Sequence, residues 1–273
     1  DMPASDPATL AREIKAAQDH AASIAPVTAR RPRFDLDAAY EVAARIHQAR
    51  LAEGALLVGR KIGFTNPAMW AALGVDFPVW GRVYEHSAIY DDTGEVRCRL
   101  GRYVEPRIEP EIVLHFHSAP PQTRDPARIL ECVDWIAHGF ELVQSHYPAW
   151  QFQAADTVAD NALHGALFIG PLKDAAELGP GLVERLAGFR VELSCNGVLR
   201  ETGTGANVLG SPLAALAHLL AVLAERPAEE AIQAGELVTT GTLTKAWPVH
   251  AGETWSTGID GIGLPGLQIV FDE

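Results

Sequence analysis

The density of glycine and proline after residue 55 limits the fold of this chain more than any other feature. The sequence has 273 residues with 24 glycines and 18 prolines, and from about Leu56 these residues divide the apolar positions into short segments. Short strands and turns are expected there. We predict a helical N-terminal part over residues 1–55 and a β-rich part over residues 56–273. The two form one continuous unit, because nothing near residue 55 is long or polar enough to be a linker.

Two apolar stripes at helical spacing predict the N-terminal helices. The first stripe runs from Leu10 to Ala21 and the second from Ala39 to Ile46. Asp35 or Asp37 is placed to cap the second helix, and Gly54 is placed to end it. Both stripes are rich in alanine and narrow, which indicates helices that lie on a larger body.

Short apolar segments predict the strands of the remaining chain. Alternation and turn signals place them at Val104–His117, Gly188–Asn196, Glu236–Leu243 and Leu267–Phe271. The pair Asn196–Gly197 is a hairpin signal. Helical spacing predicts two further helices, from Ile129 to Phe140 and from Leu213 to Leu223, with Ser211 as the N-cap of the second. Irregularly spaced strands with few helices indicate an α+β fold with a mixed or antiparallel sheet.

The charge balance excludes several classes of partner. Lysine and arginine total 22 against 35 acidic residues, a formal net charge of −13, whereas nucleic acids and anionic membranes attract basic surfaces. We find no apolar run near the 18–20 residues of a membrane span. The acidic start, Asp1–Asp6, does not resemble a secretory signal. Three separated cysteines (Cys98, Cys132 and Cys195) form neither a disulfide framework nor a zinc motif, which suits the cytoplasm.

Acidic residues on one predicted strand indicate a metal site. Side chains alternate along a strand, so Glu109 and Glu111 share a face, about 7 Å apart at the backbone. Two like charges on a buried face need a cation between them. A third carboxylate, Glu141, lies in an equally apolar setting. Three glutamates without cysteine favour a hard cation, Mg²⁺ or Mn²⁺.

Two other interpretations of these glutamates stay open from spacing alone. Glu109 and Glu111 are also placed for salt bridges to Arg102 or Arg107 at a sheet edge. Nitrogen ligands from the histidines at positions 115 and 117, which share the same face, would shift the preference toward zinc or iron.

A series of motifs in fixed order resembles a known enzyme family. The blocks are GRKIGFTN (59–66), LGVDFP (73–78), PRIEPE (106–111), FELV (140–143), DTVADNA (156–162) and GTLT (241–244). From about residue 35 to 272 the chain resembles the 2-keto-4-pentenoate hydratase and 4-oxalocrotonate decarboxylase family, within the fumarylacetoacetate hydrolase superfamily.

The resemblance implies a fold, a metal and a set of site residues. The fold is a mixed β-roll with a helical N-terminal part, and the protein is a homo-oligomer. Glu109, Glu111 and Glu141 match the carboxylates that hold a divalent metal in the family. Lys61 matches the active-site lysine, and Asp76 matches an acid that transfers or orients protons. Three threonines are candidates for substrate binding: Thr65, Thr242 and Thr244.

The implied substrate is a 2-oxo or 2-hydroxydienoic acid. A 2-oxo acid chelates a metal through its carboxylate and 2-oxo oxygens, and the Lewis acid takes up the negative charge that develops at C2. The same arrangement serves water addition at C4 and loss of a distal carboxylate. We place hydration first and decarboxylation second. An acylpyruvate hydrolase comes third, because the histidine dyad that it needs is not identifiable.

One departure from the family concerns the hydration machinery. The family serine after DNA is Leu163 here, followed by His164. Leucine cannot relay a proton or position water, whereas a histidine titrates near neutral pH and is a candidate acid or base. This departure also motivates the alternative of a weakly active subunit that binds a sister pathway enzyme. For a dicarboxylate, the candidate cations at the far end of the pocket are Arg82, Arg107 and His164.

Overall fold

Two mixed β-sheets carry most of the chain. The computed structural model describes residues 6–273. Of the acidic start, Asp1–Asp6, only Asp6 lies within the described residues. The strands are β1 (Leu57–Gly63), β2 (Val79–Tyr84), β3 (Ala88–Tyr90), β4 (Glu95–Arg99), β5 (Arg107–Phe116), β6 (Val133–Val143), β7 (His164–Ile169), β8 (Lys173–Asp174), β9 (Arg190–Cys195), β10 (Val198–Thr204), β11 (Leu237–Thr239), β12 (Trp247–Pro248), β13 (Thr254–Asp260) and β14 (Gln268–Asp272).

The strand order places β5 and β6 at the centre of the larger sheet. Its order is β2-β1-β11-β5-β6-β7-β3, with β12 also beside β5 and β8 beside β6. The smaller sheet has the order β10-β9-β13-β14-β4. The pairs β1/β11, β3/β7 and β4/β14 are parallel and the other pairs are antiparallel. The predicted α+β class with a mixed sheet is confirmed.

The helices pack against the sheets and against one another. They are α1 (Pro7–His20), α2 (Val27–Arg30), α3 (Leu36–Ala52), α4 (Trp70–Leu73), α5 (Pro126–Leu130), α6 (Ala154–Ala159), α7 (Leu182–Gly188) and α8 (Pro212–Ala224). The predicted N-terminal helices are confirmed as α1 and α3, and Asp35 caps α3 by accepting the Ala38 N–H at 3.0 Å. Their apolar stripes pack together and against α6, so they lie on a larger body as expected. The boundary near residue 55 falls between α3 and β1, and the division into two parts stays a prediction.

The apolar segment that ends in α8 corrects one statement made from the sequence. Residues Gly205–Ala224 are long and apolar enough, by length and composition, to cross a membrane. The leucines of α8 nevertheless pack with the larger sheet, α5 and α7 in one core, and Ser211 caps the helix as predicted. Burial of the helix in this core accounts for its apolar composition.

The predicted helix from Ile129 to Phe140 is wrong. Only Pro126–Leu130 is helical, and Val133–Val143 forms the central strand β6. Neighbouring strands flank β6 on both sides, and both of its faces are covered, so apolar residues occupy both parities. In such a strand the apolar residues no longer alternate with polar ones, and here their spacing matched that of a helix by coincidence.

The other local predictions hold. The hairpin at Asn196–Gly197 joins β9 to β10, and both residues have the positive φ that a tight hairpin turn needs. The three cysteines are free, with Cys98 and Cys195 buried and Cys132 half-buried.

Candidate functional site

Three glutamates meet on one face of the paired central strands. Glu109 on β5 stands directly opposite Glu141 on β6, and Glu111 stands opposite Gly139. One carboxylate oxygen from each glutamate lies within 4.8 Å of the other two. Among the described residues, this is the group of acidic, histidine or cysteine side chains whose geometry suits a metal ion.

The electrostatics of this group require a positive charge. Glu111 and Glu141 are fully buried and Glu109 is half-buried. Burial first, and then mutual repulsion, raises the pKa of Glu109 and of Glu111 well above the ordinary value, and burial also raises the pKa of Glu141. The Oε1 atoms of Glu111 and Glu141 are buried and accept no hydrogen bond, although Lys61 Nζ lies 3.3 Å from the Oε1 of Glu141. A divalent cation fits this donor set, because it would neutralise the excess negative charge and bind these oxygens.

Hydrogen bonds hold Glu111 in place through its other oxygen. Its Oε2 accepts from the Thr239 hydroxyl and from the Gly241 N–H, the latter at 3.0 Å. Gly241 has φ +121°, and a Cβ there would lie 2.1 Å from Oγ1 of Thr65. Only glycine therefore allows the backbone to approach the carboxylate at this point.

A buried lysine lies beside the carboxylates. Lys61 Nζ donates to the Ala162 carbonyl at 2.7 Å and lies 3.3 Å from Glu141 Oε1. Burial opposes the charge, but Glu141, Glu109 and Glu111 together raise the pKa of Lys61 above its ordinary value. The lysine is therefore an ammonium ion, and it offsets part of the negative charge.

His164 lies behind Glu141 and not in the cavity that contains Lys61. Its Nδ1 is 2.8 Å from Glu141 Oε2 and its Nε2 is 2.9 Å from the Ser87 hydroxyl. Burial and the Lys61 charge lower the pKa of His164 to about 3, so the ring is neutral. We assign the Nδ1–H tautomer, which donates to the carboxylate and accepts from Ser87. The ring borders a separate cavity of about 540 Å³ that is also lined by Arg82, His86 and Arg102.

A left-handed turn joins these parts. Asn161, Ala162 and Leu163 have φ of +53°, +51° and +65°. The Asn161 side chain accepts the Arg82 N–H at 2.7 Å and donates to the Arg82 carbonyl at 2.9 Å. A Cβ on Gly81 would lie 2.5 Å from the Asn161 carbonyl oxygen, so glycine allows this close approach. The turn brings its own carbonyl to Lys61 and places Leu163 at the cavity wall.

Lys61 and one of the three glutamates, Glu109, line a cavity of about 230 Å³. It is lined by Lys61, Gly63, Phe64, Thr65, Asn66, Met69, Val79, Arg107, Glu109, Val143, Trp150, Phe152, Ala162, Leu163, Thr242, Thr244, Lys245 and Ala246. The buried hydroxyl of Thr65 has no hydrogen-bond partner, whereas those of Thr242 and Thr244 donate to backbone carbonyls. All three predicted threonines therefore line the cavity, and Thr65 has the free hydroxyl.

Several predicted candidates lie elsewhere. Asp76 is exposed and is not among the residues that line this cavity, so its role in proton transfer stays a prediction. The suggestion that histidines 115 and 117 are metal ligands does not fit the structure. His115 is bound to Asp134 at 2.6 Å, and His117 is 2.9 Å from the Glu131 carbonyl oxygen. Both rings bind groups outside the glutamate cluster because they lie towards the far end of β5.

The salt-bridge interpretation of the glutamates does not match the geometry either. Among the described residues, neither Glu109 nor Glu111 has an arginine within ion-pair distance. Arg107 stacks on Trp150 instead, with its guanidinium carbon 4.0 Å from the ring centroid.

Sequence reasoning missed two supporting residues. Thr239 reaches Glu111 because β11 pairs with β5, and Ser87 reaches His164 from the segment before β3. Only the pairing of distant segments reveals such contacts. The GTLT motif drew attention to the segment that begins at Gly241, but it did not show that the backbone N–H of Gly241 would bind the carboxylate of Glu111.

The fold and the site together define a class of protein. In this class a cluster of carboxylates lies on one face of two paired strands in a mixed sheet. The profile of the fumarylacetoacetate (FAA) hydrolase C-terminal family matches residues 81–269, more than half of the chain, and the chain belongs to this family.

Named relatives share most of the chain. The chain is 34% identical over 255 residues to 2-keto-4-pentenoate hydratase 1 of Dechloromonas aromatica (strain RCB), covering 92% of each chain. It is 31% identical over 218 residues to a 4-oxalocrotonate decarboxylase of a Pseudomonas species, covering 78% of this chain and 79% of the relative. The solved structure of 4-oxalocrotonate decarboxylase from Pseudomonas putida G7, complexed with magnesium and adipate, matches with a TM-score of 0.87 at 29% identity over 97% of both chains.

Proposed function

We propose that this protein is a divalent-metal-dependent lyase that adds water to a 2-hydroxy-2,4-dienoate and gives a 4-hydroxy-2-oxo acid. The observation that carries the proposal is the cluster of three glutamates, two of which have a buried oxygen that accepts no hydrogen bond, beside a buried lysine at a small cavity. The hydratase relative, which spans 92% of the chain, supports this reaction.

Glu109, Glu111 and Glu141 would hold Mg²⁺ or Mn²⁺. Their oxygen donors and their clustered charge suit a hard cation. The magnesium in the solved decarboxylase is consistent with this choice. When bound, the cation supplies a Lewis acid for the 2-oxo group of a chelating 2-oxo acid.

The remaining residues bind and orient the substrate. An ammonium group has three N–H donors, and Lys61 directs one to the Ala162 carbonyl. We assign another to the substrate, so that Lys61 Nζ holds a proton beside the reacting carbons. The free hydroxyl of Thr65 would donate to the substrate carboxylate, since a buried hydroxyl without a partner is costly. The apolar wall formed by Val79, Val143 and Leu163 excludes bulk water.

His164 would position Glu141 and would not contact the substrate. It binds the carboxylate from the side opposite the cavity, as partners of metal ligands commonly do. This proposed role replaces the role as acid or base that we predicted for His164 because an ordinary histidine titrates near neutral pH.

Decarboxylation is the second candidate function. It is supported by the similarity to the solved decarboxylase and by the presence of a cation, Arg107, in the cavity wall. Loss of CO₂ from a 2-oxo-3-enedioate uses the same chelated 2-oxo acid.

A product assay separates the candidates. The purified chain is incubated with 2-hydroxypenta-2,4-dienoate or with 4-oxalocrotonate, with Mg²⁺ or with EDTA, and the hydrated product and CO₂ are measured. We expect water addition that EDTA abolishes and Mg²⁺ restores. CO₂ release alone would establish the decarboxylase. Absence of turnover on both substrates would contradict a lyase and would favour a weakly active subunit or an acylpyruvate hydrolase.

We also propose that the protein is a homo-oligomer, as the resemblance implies, and that it is cytoplasmic, as its unpaired cysteines suggest. Light scattering coupled to size-exclusion chromatography tests the assembly, and a single 29.4 kDa species would contradict it.

A further inference from the structure

The separate cavity beside His164, which we call the second cavity, has room for a small molecule. Its volume is about 540 Å³, against about 230 Å³ for the cavity that contains Lys61. The end of α1, the helix α3, the strand β2 and the segments 101–103 and 159–165 supply its lining. Small-molecule sites in proteins commonly have volumes of about 300–1,000 Å³.

Residues 161–164 separate the second cavity from the candidate active site. Ala162 and Leu163 line the cavity that contains Lys61, whereas Asn161 and His164 line the second cavity. The two cavities share no lining residue among the described parts of the chain. A ligand in the second cavity therefore does not take the place of the substrate.

The charged side chains at the second cavity are mostly positive. Three arginines, Arg50, Arg82 and Arg102, line it together with one carboxylate, Asp19, although the chain as a whole has a formal net charge of −13. Asp19 already forms ion pairs with Lys15 and Arg50. Among the described residues, neither Arg82 nor Arg102 has an ion-pair partner. A cleft lined by one sign of charge concentrates ions of the opposite sign.

Hydrogen-bond donors at the second cavity also outnumber their acceptors. Arg82 is only 5% exposed, and its guanidinium stacks on Trp80 with its carbon 4.8 Å from the ring centroid. Stacking leaves the edge of a guanidinium available, and this edge has no acceptor among the described residues. The oxygen of the buried Gln144 side chain accepts the Val104 N–H at 3.1 Å, whereas its NH₂ group has no acceptor in the same part of the chain. Unmet donors are costly to bury, and an anion would satisfy them.

His86 adds a further nitrogen donor to the lining of the second cavity. Its ring stacks on Tyr84, with the centroids 5.6 Å apart, and makes no hydrogen bond to any described residue. Burial, and then nearby charges with Arg50 and Arg102 among them, lower the pKa of His86. These arginines therefore act on the ring directly, and a negative charge beside them would relieve the repulsion.

We propose that the second cavity is a binding site for a small oxyanion, a carboxylate or a phosphate, with Arg82 and Arg102 supplying the charge and His86 and Gln144 supplying further donors. Charge-assisted hydrogen bonds from guanidinium groups are the usual means by which proteins hold both kinds of oxyanion. The site lies outside the substrate cavity, so the inference does not depend on the proposed function.

Calorimetry on the metal-free full chain, freed of chelator, tests the proposal. The probes are succinate, inorganic phosphate and succinamide, which is the neutral analogue of succinate. Without a metal ion, no probe can bind through one. We expect succinate, phosphate or both to bind at least tenfold more tightly than succinamide, and the tighter of the two identifies the oxyanion.

Three variants locate the bound anion. Arg102→Gln, a change at an exposed side chain, should weaken anion binding at least fivefold. Asp19→Asn, which removes the carboxylate of the second cavity and releases Arg50, should tighten it. Arg107→Gln, the matched control, removes a cation from the cavity that contains Lys61 and should leave the affinity within twofold.

The outcomes decide between the second cavity and the other places for an anion. Wild-type protein that binds neither anion more tightly than succinamide overturns the proposal; a changed assembly of Arg102→Gln in light scattering would then mean that a second copy of the chain fills the cavity. Binding that is lost in Arg107→Gln and kept in Arg102→Gln also overturns it, because the anion would lie beside Lys61. None of these results alters the product assay, so the site and the proposed function can fail separately.

Discussion

Replacement of Glu109 by glutamine should stabilise the metal-free protein while it removes metal binding. Glu109 lies near two other carboxylates, and among the described residues its side chain accepts no hydrogen bond. The substitution keeps the shape of the side chain and removes one negative charge. It therefore relieves repulsion without breaking a hydrogen bond.

The magnitude follows from the geometry of the cluster. Two unit charges 4.8 Å apart repel by about 3.5 kcal/mol at an effective dielectric constant of about 20. Glu109 repels both Glu111 and Glu141, whereas Lys61 attracts it, and the raised pKa values mean that protonation already relieves part of the repulsion. We expect the free energy of unfolding to rise by about 1–3 kcal/mol, and each kcal/mol raises Tm by roughly 2–4 °C in a protein of this size.

Thermal unfolding with and without metal measures both effects. In EDTA, Glu109→Gln should unfold at a higher temperature than the wild type. With Mn²⁺ at about 100 times its Kd, the wild type should gain about 2.7 kcal/mol and the variant should gain almost nothing. Glu95→Gln, a change at an exposed carboxylate on β4, should change neither the unfolding temperature in EDTA nor the stabilisation by Mn²⁺.

Two results would refute this reasoning. Unchanged Mn²⁺ affinity of Glu109→Gln in a calorimetric titration would remove Glu109 from the metal site. A metal-free variant less stable than the wild type would mean that the glutamates do not repel each other as the geometry requires.

Three further predictions concern the cavity wall, the support of Glu141 and the N-terminal helices. Leu163→Ser should raise the hydration rate if water placement limits it, and Leu163→Ala, which also loses the buried isobutyl group but adds no hydroxyl, should not; equal rates would refute the idea. His164→Ala should weaken Mn²⁺ binding by about 10–100-fold, and His164→Asn, which keeps an N–H donor, should recover part of the loss; unchanged affinity would remove its positioning role. Burial opposes the ionisation of Asp19, but Lys15 and Arg50 lower its pKa, so its ion pairs add stability above the ordinary carboxyl range and lose it as the pH falls through the folded value. Asp19→Asn should thus be less stable at pH 7, and the difference should shrink as the pH falls through the lowered pKa of Asp19; a difference in urea unfolding that stays constant with pH would contradict this.

Local patterns predicted the parts of the fold that depend on local chemistry. The caps at Asp35 and Ser211 and the hairpin at Asn196–Gly197 follow from short-range hydrogen bonding and backbone preference. Strand parity alone placed Glu109 and Glu111 on one face. These predictions needed no knowledge of which strands pair.

Long-range pairing explains what the sequence did not show. The sequence assigned Glu141 to a segment after a helix, whereas it lies within β6, directly opposite Glu109. Its apolar setting and the family resemblance selected the right residue, although the local structure was wrong. Lys61 joins the same face because β1 pairs with β11, and β11 with β5. No periodicity in one segment encodes these neighbours.

The left-handed turn at residues 161–163 explains how this site can vary in chemistry while its frame stays fixed. Three consecutive non-glycine residues in this conformation cost roughly 1–2 kcal/mol each. Two hydrogen bonds from the Asn161 side chain to the Arg82 backbone, and close contact with Gly81, offset this cost. Neither depends on the side chain of Leu163, which lines the cavity beside Lys61, and the following residue, His164, binds Glu141. A substitution at position 163 therefore alters the polarity of the cavity, and one at position 164 alters the support of Glu141. In both cases the Ala162 carbonyl that binds Lys61 keeps its place.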